Sequence, residues 1–99
     1  MVAKAALEYS LESQSDLLRL SLFLFEKDPE AALDVFEIIK SAIAMLADHP
    51  LAGRLVGLAL RELVISHGRT GYVASYHYDR LEHKVLILAI KHQRENDYH

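Results

Sequence analysis

The chain has no cysteine. Disulfides, thiolate metal sites and cysteine nucleophiles are therefore excluded. No apolar run approaches the ~20 residues that a bilayer-spanning helix needs. The start, Met1-Val2-Ala3-Lys4, carries no signal-peptide core. Two prolines and four glycines in 99 residues leave no room for a Pro/Gly-rich linker. No internal repeat or low-complexity tract is present. What remains is rich in aliphatic side chains: 17 Leu, and 32 residues of Leu, Ile, Val and Phe together. That content excludes intrinsic disorder. The expectation is one cytoplasmic domain spanning residues 1–99, too short for two independent cores.

Net charge is −3, and its distribution is uneven. Residues 1–50 carry four Lys/Arg against nine acids, a net of −5, whereas residues 51–99 carry seven against five, a net of +2. A protein whose whole surface grips nucleic acid is basic overall, and this one is not. Any acidic partner is expected on the C-terminal half.

Periodicity gives the element order. Ala5, Leu7 and Tyr9 alternate with Lys4, Ala6 and Glu8 as in a half-buried strand. Ser10 or Ser13 can start the helix that follows. Ser13 and Asp16 have capping-box spacing. This helix, Leu11 to Lys27, has too many apolar positions for one stripe. It is either deeply buried or offers a second apolar face. Asp28-Pro29-Glu30 starts another helix with an N-cap, a proline at N1 and an acid in the first turn. It runs to about Asp48, and His49-Pro50 ends it. Val35, Ile39, Ala42 and Leu46 mark its inner face. The short connection predicts an antiparallel hairpin. Leu51 to Ala59 reads as loop. Leu60–Ile65, Tyr72–Tyr78 and Lys84–Lys91 read as strands, the last apolar enough to be buried on both faces. The fold class is α+β: an N-terminal strand, a two-helix hairpin, then a three-stranded antiparallel meander, β-α-α-β-β-β.

Chemistry-bearing patterns are sparse. Six His lack the spacing that places two imidazoles on one cation, so no metal or cofactor is expected. Gly68 and Gly71 flank a hairpin turn. Glu26, Asp28, Glu30, Asp34 and Glu37 form a solvated helical face. One constellation stands out: Arg61, His92, Arg94 and Tyr98. Together these could cleave a phosphodiester, with Arg holding charge and His or Tyr moving a proton. Alternatively, Arg61 and Arg94 pair with Glu62, Glu95 or a partner's carboxylates.

Several segments, in order, resemble the RelE/ParE toxin superfamily of bacterial toxin–antitoxin modules. They are Asp16-Leu17, Asp28 to Ala32, Leu46 to Pro50, Gly53-Arg54, Leu60 to Leu63, Tyr72 to Tyr76, Val85 to Ile90, and His92-Gln93-Arg94. Each is weak alone, but their order and spacing cover nearly the whole chain. The resemblance implies a helical hairpin on a small antiparallel sheet and a cognate antitoxin, ParD- or RelB-like. Operator DNA would be met only through that antitoxin, and no membrane is implied. It also implies one of two targets. ParE-like members inhibit DNA gyrase without chemistry of their own. RelE-like members cut mRNA on the ribosome. The RelE pattern places basic residues on two strands of the sheet. Here Arg61 fills one position, but Leu63 and Ile65 alternate with it, and Val73 stands where Arg is frequent. With the acidic balance, this favours the ParE-like branch. The nuclease alternative would use Arg61, His92, Arg94 and Tyr98. The antitoxin is expected to wrap the groove between hairpin and sheet with a helix carrying Leu/Ile anchors at i, i+3, i+4 and i+7. Leu18, Leu22, Phe23 and Phe25 are the expected contacts; alternatively they fill the core or a homodimer seam.

Overall fold

The computed structural model describes residues 3–96. Strand β1 (Ala6–Tyr9) leads into helix α1 (Leu11–Lys27). Ser10 is the N-cap, its Oγ accepting the Ser13 N–H at 3.0 Å. Ser13 is not the cap. It lies buried one turn in and donates to the Ser10 carbonyl. Asp28 separates α1 from α2 (Pro29–Ala44), and its carboxylate accepts the Glu30 and Ala31 N–H groups. A 3-10 turn, Met45–Ala47, finishes the segment read as helix to Asp48.

Strands dominate the rest of the described chain. Short β2 (Arg54–Leu55) lies within the stretch read as loop. It is followed by β3 (Arg61–His67), β4 (Thr70–Asp79) and β5 (Lys84–His92), and then by a single turn of helix, α3 (Gln93–Asn96). The sheet order is β1-β5-β4-β3-β2. The meander β3-β4-β5 is antiparallel, while β1 adds parallel to β5. The β3–β4 connection is a two-residue loop with Gly68 first, at φ +60°, a conformation that favours glycine.

The helical hairpin covers one face of the sheet, α1 over β5 and α2 over β3. Between the layers lie Leu17, Leu20, Val35, Ile39, Ile43 and Leu46 from the helices, with Leu63, Ile65, Ala74, Tyr76, Val85, Ile87 and Ile90 from the sheet. Ala5, Leu7 and Tyr9 face this core as their alternation predicts. The expectation for β5 needs correction. It is buried on one face only, and Leu86, Leu88 and Ala89 are just half-buried. Its continuous apolar run has another cause. Tyr76 pairs with Ile87 but Ser75 pairs with Ala89, so Leu88 is an extra residue. That bulge resets the alternation, and both Ile87 and Ile90 turn inward.

The bulge lies where β1 ends, which would leave the outer edge of β5 without a partner strand. Side chains of α1 replace it. Ser10 Oγ donates to the Leu88 carbonyl at 3.1 Å, and Asp16 Oδ2 accepts the Ile90 N–H at 2.9 Å. Asp16, read as a capping-box residue, is thus a substitute strand partner.

Candidate functional site

Arg61 begins β3 opposite Tyr76, and His92 ends β5 opposite Tyr72. At ~3.3 Å per residue the two positions are roughly 13 Å apart along the strands, and at ~4.8 Å per strand about 10 Å apart across them. Arg61 and His92 therefore do not meet at one centre. Arg61 belongs to a different cluster. Its Nη1 donates to the Gly53 carbonyl at 2.7 Å and to the Leu51 carbonyl at 3.4 Å. Glu62 pairs instead with Arg54 at 3.2 Å, and the Glu95 side chain lies outside the described residues.

Tyr76 completes that cluster. It is fully buried, and its hydroxyl accepts the Gly53 N–H and donates to the Pro50 carbonyl, both at 2.8 Å. The loop after α2 is thereby tied to the middle of the sheet. Burial pushes the Tyr76 phenol above its ordinary value, opposed in part by the Gly53 N–H and the Arg61 charge. Burial also raises Tyr9 and Tyr72. A phenol whose folded pKa is raised stabilises the fold fully below the unfolded value of 10.0. That stability is lost as pH rises through the folded pKa. The urea midpoint should therefore fall between about pH 9 and pH 12, and less steeply in Tyr76→Phe. Equal slopes in the two proteins would contradict the assignment.

His92 and Arg94 stand at the other end of the sheet, beside the β3–β4 turn. His92 Nδ1 accepts the Arg94 N–H at 3.1 Å, so the neutral ring carries its hydrogen on Nε2. The ring meets Tyr72 edge-on at 5.3 Å. Both residues border a cleft of about 640 Å³ between α1 and the sheet. Its other walls are Arg19, Phe23 and Lys27, on one face of α1 by their i, i+4, i+8 spacing, with Thr70 opposite. Leu20, Leu24 and Tyr72 form an apolar floor. Sequence reasoning missed Arg19 and Lys27 as neighbours of His92, although their helical spacing was a usable signal. Tyr98, the remaining candidate, lies outside the described residues.

The expected antitoxin contacts divide between two surfaces. Leu18, Leu22 and Phe25 follow Leu11 along the solvent side of α1, each more than half exposed. This is a heptad-like stripe opposite the core. Phe23 is also exposed, but it faces the cleft and has Lys27 Nζ 4.5 Å from its ring centre. Of the two outcomes open for α1, the structure shows the second apolar face. Among the described residues no three His, Asp or Glu come together as metal ligands. No helix there is long and apolar enough to cross a membrane.

Comparison with known proteins gives a consistent picture. A family model described as the ParE toxin of the type II toxin–antitoxin system parDE matches residues 7–97. Toxin RelE1 of Caulobacter vibrioides is 36% identical over 67 residues, covering 68% of this chain and 72% of that protein. Toxin RelE3 of the same organism is 32% identical over 90 residues, covering 91% and 96%. A solved chain from the chromosomal ParDE system of P. aeruginosa superposes with a TM-score of 0.73 at 20% identity, covering 90% of this chain and 96% of that one. One from the RelBE2 toxin–antitoxin complex of Mycobacterium tuberculosis gives 0.59 at 22% identity, covering 90% and 98%. These structural likenesses carry the fold.

Proposed function

Since the chain belongs to the ParE/RelE family of type II toxins, we propose that it arrests growth by binding DNA gyrase, without chemistry of its own. The carrying observation is the placement of Arg61. A nuclease needs its phosphate-holding cation and its proton-moving group on one scissile bond. Here Arg61 is bound to loop carbonyls far from His92 and Arg94. The net charge of −3 also opposes docking on dense ribosomal RNA phosphate. In this reading the toxin acts in the cytoplasm, and a cognate antitoxin helix covers Leu18, Leu22 and Phe25. Operator DNA is met only through that antitoxin.

The test is a supercoiling assay with purified gyrase. Increasing toxin should halt supercoiling and accumulate cleaved DNA. Persistent supercoiling at high excess, with no cleaved DNA, would overturn the reading. The second reading, an mRNA endonuclease, draws on His92 and Arg94 sharing one cleft. Primer extension after induction would then show codon-linked cuts that disappear in Arg94→Ala.

A further inference from the structure

The cleft between α1 and the β3–β4 turn is a basic site where the acidic first half of the chain meets its basic second half. Arg19, Lys27, His92 and Arg94 line it, and among the described residues no carboxylate does. Arg19 leans toward Asp16 at 3.8 Å, so the available cations are Lys27 and Arg94, both exposed. Beneath them Leu20, Leu24 and Tyr72 present an apolar floor. The volume, about 640 Å³, falls within the range of ligand-sized pockets.

Two kinds of anion could meet such a site. A single-stranded nucleic acid would need free aromatic faces for its bases. Only one is on offer: Tyr72 is buried edge-on against His92, which leaves Phe23, with Lys27 over one side of its ring, as a single platform. A peptide carboxylate needs only the cations, with an aliphatic neighbour to fill the floor. Arg94 can fork onto it, and Lys27 supplies a point charge.

We propose that this cleft is a carboxylate-binding subsite for an acidic, aliphatic-anchored segment of the antitoxin, separate from the Leu18, Leu22 and Phe25 stripe. The antitoxin therefore grips α1 on two sides. The stripe supplies apolar area, and the cleft selects a partner by charge. This rests on the reading that an antitoxin holds the chain.

The test uses the full chain, tagged and co-expressed with the antitoxin encoded beside it. Antitoxin is released from the immobilised complex by graded NaCl. The variant Lys27→Glu/Arg94→Glu should hold it about tenfold or more weakly at low salt. The milder Lys27→Gln/Arg94→Gln pair, which tests the site without charge reversal, should fall between. Changing one acid of the antitoxin's bound segment to Lys should restore binding to the Glu variant. Unchanged retention by both variants overturns the subsite while leaving the antitoxin reading intact. Failure of the wild-type chain to retain antitoxin overturns that reading instead. Binding of a labelled single-stranded oligonucleotide, abolished by Lys27→Glu/Arg94→Glu, would replace the peptide with a nucleic acid.

Discussion

Gly53→Ala should destabilise the fold by about 2–4 kcal/mol, which for a domain of this size lowers the melting temperature by roughly 10–25 °C. A Cβ at this position would stand 2.6 Å from Tyr76 Cε1, 2.7 Å from Tyr76 Oη and 2.9 Å from the Glu62 carbonyl. None of these atoms can retreat easily. Tyr76 is fully buried, and its hydroxyl is held by Pro50 and Gly53 itself. Relief requires the loop to lift. That breaks the Gly53 N–H to Tyr76 bond and weakens the Arg61 bond to the Gly53 carbonyl. Tyr76→Phe alone should cost about 1–2 kcal/mol, because a buried N–H and a buried carbonyl lose their partner. The double variant should cost less than the sum, since removing the hydroxyl also removes one of the clashes. Thermal or urea unfolding of the four proteins measures this. A Gly53→Ala cost below about 1 kcal/mol would show that the loop yields freely.

Asp16→Ala should cost about 2–3 kcal/mol. The lost interaction is a charge-assisted hydrogen bond to the Ile90 N–H, nearly out of water and at an edge with no strand to replace it. Asp16→Asn keeps an acceptor oxygen and should cost only about 1 kcal/mol. The local readout is amide exchange at Ile90, which should quicken in Asp16→Ala well beyond its strand neighbours. If Ile90 exchanges no faster than the neighbouring amides, the carboxylate does not serve as that strand partner.

Much of the fold is legible in the residues because it is set locally. Asp28-Pro29-Glu30 can only open a helix, and His49-Pro50 can only close one near there. Alternation in Ala5, Leu7 and Tyr9 assigns their common face. The paired stretches with Gly68 between them make a hairpin at a fixed register. What escaped is non-local. Nothing in the sequence of β5 distinguishes a strand buried on both faces from one whose alternation is reset by a bulge at Leu88. Nor does Arg54-Leu55 look like a strand, since two residues carry no periodicity. The candidate site divides in the same way. His92 and Arg94 are neighbours in sequence and remain so in space. Arg61 was linked to them only by residue type, and register sent it to the far end of the sheet.

The chain's shortages keep their meaning. Without cysteine and with few breakers, the sequence by itself determined an α+β fold stabilised by aliphatic packing. Composition also determined its acidic first half and basic second half. The tertiary structure decided where the excess apolar and basic groups are used. Helical geometry sends Leu17 and Leu20 into the core, Leu18, Leu22 and Phe25 to solvent, and Arg19, Phe23 and Lys27 to the rim of a cleft. Sheet register brings His92 and Arg94 to that rim and fastens Arg61 elsewhere. The reason is physical: periodicity assigns a residue to a face of its own element, but which faces meet depends on strand order and packing.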